Sequence, residues 1–66
     1  MTRTLKEKVN GNLENALDNG YDFTNWNSDA VTDDLLSNAD YDFIGIEPKQ
    51  VIPLIEEWQN ARKNKS

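Results

Sequence analysis

Apolar residues in the first third of the chain recur at the spacing of one helical face: Leu5, Val9, Leu13, Ala16 and Leu17. Thr4 and Glu7 have the spacing of a capping box, in which each side chain accepts a hydrogen bond from the other residue's backbone amide. Gly20 occupies a position where a left-handed residue ends many helices. These signals predict a helix over residues 5–19. Gly11 weakens it, because glycine costs about 1 kcal/mol relative to alanine inside a helix.

A second helical pattern follows Trp26. Either Asn27 or Ser28 can cap its start, because both have short side chains that accept from amides two or three residues ahead. With Asn27 as the cap, Trp26 and Val31 occupy the positions of a hydrophobic staple. This pairing favours Asn27 and predicts that Trp26 lies in the core. Asn38 is predicted to end the helix. Its apolar stripe consists of Val31, Leu35, Leu36 and Ala39.

A third helical region has Pro48 at a favourable first position. One face of this region consists of Val51, Ile55, Trp58 and Arg62. Pro53 interrupts it, since an internal proline removes one backbone hydrogen bond and crowds the preceding turn. Either one helix runs from Pro48 and kinks, or residues 48–52 form a separate turn and the helix begins at Pro53. We favour the second alternative, and we expect the chain ends, residues 1–4 and 63–66, to fray.

Two connectors join these helices, and both contain the sequence Tyr-Asp-Phe. The first covers residues 21–25 and the second covers residues 40–46, with the repeated tripeptides twenty residues apart. In the simplest interpretation, each connector places an aromatic pair over one end of the helices. An internal duplication or a short β-bridge between the connectors would explain the same repeat. The pattern as a whole predicts an all-α fold, a small three-helix domain with aromatic-rich connectors.

Composition limits the chemistry that such a domain can perform. The chain has 66 residues and contains neither cysteine nor histidine. A single domain is expected, with no disulfide, no thiolate metal site and no imidazole base. The apolar segments are too short for a membrane span, and no apolar core follows the basic residues near the N-terminus. We therefore expect a cytoplasmic protein of a bacterium or of a phage-infected host cell.

Charge is distributed unevenly along the chain. Between Val9 and Pro48 there are nine acidic residues and no lysine or arginine, whereas both ends carry a small positive excess. The net charge is −5. A continuous acidic segment favours a basic partner and argues against direct binding of nucleic acid, whose phosphates need cations.

Carboxylates are the main candidates for chemistry. Asp33 and Asp34 are adjacent on the predicted second helix, and paired carboxylates can perform acid–base work or hold a hard cation. No nucleophile or second base accompanies them. Residues 38–42 resemble the start of a calcium loop, but Phe43 and Lys49 stand where glycine and a bidentate glutamate are required. We therefore expect no enzyme, no cofactor and no metal site.

The predicted function is that of a small acidic, non-catalytic protein-binding module, a regulator or accessory subunit of a larger protein with a basic patch. Trp58, near the end of the last helix, serves equally well as a core residue or as an anchor for a partner. The predicted partner-binding residues are Asp22, Asp29, Asp33, Asp34, Asp40, Asp42 and Trp58.

Two alternatives use the same residues differently. The carboxylates could imitate the phosphates of nucleic acid and inhibit a DNA- or RNA-binding protein, as a phage anti-defence protein would. The domain could instead form a homodimer, because a chain this short buries only about 60% of its unfolded surface on its own. The short acidic helical pattern resembles small bacterial and phage accessory proteins in a general way, without a diagnostic motif.

Overall fold

A computed structural model describes residues 3–38 and 41–65 of the chain, with the side chains of residues 3–38 and 41–64. Three helices account for most of these residues: α1 (Leu5–Asp18), α2 (Ser28–Asn38) and α3 (Pro48–Lys65). The described residues contain no strand or β-bridge. The predicted all-α, three-helix fold is thus confirmed. Ala39 and Asp40 lie outside the described residues.

α1 begins and ends as its capping signals predict. The backbone amide of Glu7 donates to the Thr4 hydroxyl at 3.1 Å, and the Thr4 amide donates to the Glu7 carboxylate at 3.0 Å. At the other end, Gly20 has φ of +95°. The amide of Tyr21 reaches back to the carbonyl of Ala16 at 2.8 Å, which completes a Schellman motif. Backbone amides at the start of α1 and backbone carbonyls at its end therefore find hydrogen-bond partners among neighbouring residues.

α2 is capped by Asn27, as predicted. Its side-chain oxygen accepts from the amide of Asp29 at 2.8 Å, and its carbonyl accepts from the amide of Val31 at 3.0 Å. The helix ends at Asn38. The prediction that Trp26 belongs to the core is wrong, because its side chain is 47% exposed. Trp26 instead packs against Phe23, with the two rings 4.6 Å apart in an edge-to-face arrangement.

α3 is one continuous helix from Pro48, so the prediction that it begins at Pro53 is wrong. Pro53 removes a hydrogen bond to the carbonyl of Lys49. Both residues are exposed, so water can reach that carbonyl and reduce the cost. The helix also includes residues 63–65, and their fraying in solution remains a prediction.

The core lies where α3 packs against both α1 and α2. Its buried apolar residues are Val9, Leu13, Phe23, Val31, Leu35, Phe43, Val51, Ile55 and Trp58. All three helices and both connectors contribute to it. A core of this size is close to the minimum for a domain without disulfides, so each large side chain matters.

The two connectors share a local structure. Phe23 and Phe43 are both buried, and each accepts a hydrogen bond at its carbonyl from the amide three residues ahead. The helices that follow begin twenty residues apart, at Ser28 and Pro48. Only the phenylalanine of each Tyr-Asp-Phe covers the core, since Tyr21 and Tyr41 are exposed. Whether the repeat reflects a duplication remains a prediction.

Candidate functional site

The first connector is held by the C-terminal half of α3. Gln59 is buried, and its side-chain amide donates to the carbonyl of Phe23 at 2.7 Å and to the carbonyl of Trp26 at 2.9 Å. Both protons of one amide group are thereby used to fix a loop more than thirty residues away in sequence. A loop with satisfied buried carbonyls has a defined backbone path.

A second set of contacts fixes the middle of the same connector. Arg62 donates from Nε to the Thr24 hydroxyl at 2.8 Å, and its guanidinium lies 5.1 Å from the centre of the Trp58 ring. The Thr24 hydroxyl and amide both donate to one carboxylate oxygen of Asp22. The hydrogen bond from the Thr24 hydroxyl, then that from its amide, and the charge of Arg62 lower the pKa of Asp22.

Two aromatic side chains project from this fixed connector. Tyr21 is 64% exposed and Trp26 is 47% exposed, whereas Phe23 between them is buried. A large aromatic side chain that stays exposed does not contribute the stabilising free energy that its burial would provide. Rigid aromatic residues at a surface are typical of binding sites, where they provide contact area at little entropic cost.

These aromatic residues line an open groove of about 480 Å³ between the connector and the facing sides of α1 and α2. The groove is lined by Ala16, Tyr21, Phe23, Trp26, Asp34 and Asn38. A smaller hollow of about 180 Å³ adjoins it, shares four of these residues, and adds Asn12, Asn15 and Leu35. The groove volume is within the roughly 300–1,000 Å³ of most ligand-binding clefts.

Among the residues that the structure describes, Asp34 is the one charged residue that lines the groove. One of its carboxylate oxygens accepts from the Asn38 side-chain amide at 2.8 Å, one helical turn along α2. This bond orients the carboxylate without neutralising it. The groove therefore combines apolar and aromatic surface with one negative charge.

The predicted partner-binding residues do not come together as one site. Asp34 lines the groove, while Asp29 and Asp33 are exposed on α2. Asp42 faces α1, where it accepts from Arg3 at 3.5 Å and from Asn12 at 3.2 Å. Asp22 stabilises the turn at Thr24, and Asp40 lies outside the described residues.

The two tryptophans differ in environment, and Trp26, which was predicted to lie in the core, is the exposed one. Trp58 is 8% exposed and covered by Arg62, so it presents little surface to a partner, whereas Trp26 lines the groove. The sequence signal nearest to the groove is the density of three aromatic residues within residues 21–26. That density does not specify which of the three is exposed.

Within residues 3–38 and 41–65, no three acidic side chains converge closely enough to hold a metal ion. None of the helices in that part of the chain has the length and apolar character needed to cross a bilayer.

Comparison with known protein families, with characterised proteins and with solved structures finds no match to this chain.

Proposed function

We propose that this protein is a small non-catalytic binding module that associates with a basic region of a larger protein and regulates or accompanies it. The observation that supports this proposal is the groove beside Trp26, which is lined both by exposed aromatic side chains and by Asp34. We further propose that the partner is met in the cytoplasm of a bacterium or of a phage-infected host.

Unpaired acidic charge on α2, the helix that carries Asp34, supports the choice of a basic partner. Asp29 and Asp33 are one turn apart on α2, both are exposed, and neither forms an ion pair with the described cations. Surface charge of one sign accelerates the encounter with a partner of the other sign, and this effect weakens with salt. The aromatic residues would then supply most of the affinity.

Mimicry of nucleic acid is less well supported than protein binding. That hypothesis needs a row of free carboxylates, yet Asp22 is engaged by Thr24 and Asp42 by Arg3 and Asn12. Self-association also stays a prediction, and sedimentation of the purified protein over a range of concentrations would test it.

Affinity capture from a lysate of the producing cells tests the proposed function. We expect one main partner, recovered at roughly 0.05 M salt and largely lost at roughly 0.5 M, because the Debye length shortens from about 14 to 4 Å. The double variant Asp33→Asn/Asp34→Asn should reduce recovery several-fold. Glu14→Gln/Glu56→Gln removes the same charge from exposed positions outside the groove, and it should have a smaller effect. Recovery that is insensitive to salt and to both variants would contradict the proposal.

A further inference from the structure

We infer that the groove binds a lysine or arginine side chain presented by an exposed segment of the partner, an inference that rests on the proposed function. The aliphatic part of that side chain would pack beside Ala16, which is partly exposed. Its cationic end would lie against the Trp26 and Tyr21 rings and within reach of the Asp34 carboxylate.

The aromatic residues provide the first part of this recognition. The edge of one ring in the Phe23–Trp26 pair faces the face of the other, and Trp26 is half exposed, so part of the indole remains available to a ligand. The faces of tryptophan and tyrosine are electron-rich and attract a cation within about 6 Å of the ring centre. The same rings also pack well against methylene groups. A lysine or arginine side chain has both a methylene stem and a cationic end, so it can make both kinds of contact.

The carboxylate provides the second part. Asp34 lies on the α2 side of the groove, and Asn38 occupies only one of its oxygens. Within residues 3–38 and 41–64, no lysine or arginine lines the groove to neutralise it. A hydrogen bond between a ligand cation and this carboxylate is charge-assisted and therefore stronger than one between neutral groups.

Preorganisation provides the third part. Gln59 fixes the backbone at both Phe23 and Trp26, and Arg62 fixes Thr24 between them. The connector therefore has little conformational freedom left to lose when a ligand binds. A site that already has its bound conformation binds a ligand more tightly than a flexible site that makes the same contacts, because less entropy is lost on binding.

A second copy of this chain is a poorer occupant as far as four of its cationic side chains are concerned, because each of these already has a partner within its own molecule. Arg3 pairs with Asp42, Lys6 with Glu57 at 2.7 Å, and Lys49 with Glu47 at 3.4 Å. Arg62 is committed to Thr24 and Trp58. Inserting one of these side chains into the groove of another copy would first break its own contact.

The test uses the full-length protein labelled with ¹⁵N and a defined probe, a capped octapeptide in which arginine and leucine alternate. The two tryptophan indole N–H signals report on the groove and on the core separately. We expect the Trp26 signal to shift with added peptide while that of buried Trp58 stays in place. The same octapeptide with glutamine in place of arginine should bind roughly tenfold more weakly.

Matched variants separate the groove from general charge attraction. Asp34→Asn and Asp33→Asn remove the same charge from adjacent residues of α2, and of these two residues only Asp34 lines the groove. We expect Asp34→Asn to weaken peptide binding at least threefold more than Asp33→Asn. Trp26→Ala should weaken it roughly tenfold, and Trp26→Phe should retain part of the affinity. Tyr21→Ala, at a more exposed position, serves as a second variant if Trp26→Ala fails to fold.

Several results would overturn the inference. Equal effects of Asp33→Asn and Asp34→Asn, with an unmoved Trp26 signal, would reject the groove while leaving salt-dependent capture of a partner intact. Equal binding of the glutamine peptide would reject a cationic ligand, and no binding of the arginine peptide would reject the inference outright. If the parent protein sediments as a dimer and the Trp26→Ala variant sediments as a monomer, the groove binds a second copy of this chain instead. The capture experiment decides the proposed function independently of all four.

Discussion

The side-chain amide of Gln59 donates to the carbonyl of Phe23 at 2.7 Å, across 36 positions of sequence. Its second proton goes to the carbonyl of Trp26. One polar side chain in the interior thus joins the last helix to the loop that carries the exposed aromatic residues. Because the hydrogen bond to Phe23 is buried, water is not a ready substitute for the Gln59 donor at that carbonyl.

Replacing Gln59 with leucine should destabilise the protein by about 1–3 kcal/mol. The Trp26 carbonyl loses its side-chain donor, and the Phe23 carbonyl is left with the Trp26 amide at 3.2 Å. Chemical denaturation followed by circular dichroism measures the change. Asn60→Leu alters the neighbouring exposed residue and should stay within about 0.5 kcal/mol of the parent. Similar values for the two variants would mean that the Gln59 hydrogen bonds contribute little.

Stability should fall in acid partly through Asp22. Hydrogen bonds from Thr24 lower the pKa of this carboxyl in the folded protein below its ordinary value of 3.8. A group whose pKa is lower in the folded state stabilises it above the unfolded pKa, and that contribution is lost as pH falls through the folded pKa. Asp22→Asn should therefore reduce stability at pH 6 and flatten its dependence on pH below about 4.

Glu7 should contribute in the same direction. The backbone hydrogen bond from Thr4 and then its side-chain hydrogen bond lower the pKa of the Glu7 carboxyl from its ordinary value of 4.5. Glu7→Gln should weaken the loss of stability between about pH 5 and pH 3. Glu14→Gln, an exposed acid on the same helix, is the control, and denaturation at a series of pH values provides the comparison. A parallel pH profile for Glu7→Gln and the parent would contradict this assignment.

Pro53→Ala should stabilise the protein, because Pro53 lies inside a continuous helix. Alanine restores the amide that can donate to the carbonyl of Lys49, a gain only partly offset by greater freedom of the unfolded chain. We expect about 1–2 kcal/mol. Pro48→Ala, at the first position of the same helix, removes a favourable residue and should be neutral or slightly destabilising. Thermal unfolding of the two variants tests this contrast.

The helices could be predicted because their signals are local. The Thr4–Glu7 capping box, the Asn27 cap and Gly20 after α1 each depend on residues within one turn. The start of α3 was predicted wrongly because the cost of an internal proline such as Pro53 depends on whether water reaches the carbonyl that it leaves unbonded. An exposed carbonyl that water can reach makes an internal proline tolerable, and exposure is not visible in the sequence.

The groove could not be predicted because it depends on contacts distant in sequence. The sequence places Trp26 at the hydrophobic-staple position before α2, which predicts burial. In the structure Gln59 binds the Trp26 carbonyl, and the indole is about half exposed. Trp58 had two equal interpretations, and the position of Arg62 over its ring places it in the core. Of the predicted acids that the structure describes, only Asp34 lines the groove, since charge along a sequence does not specify which side chains meet.

Replacing Ile55 with alanine should destabilise the protein far more than replacing Ile44 with alanine. Ile55 is fully buried, whereas Ile44 in the second connector is 76% exposed. Ile55→Ala removes buried methyl groups and leaves a cavity, which costs about 2–5 kcal/mol. A chain of this length is stable by about 3–10 kcal/mol, so this one change could unfold it at room temperature. Ile44→Ala should shift the midpoint of urea denaturation very little, and equal losses for the two variants would contradict the core described above.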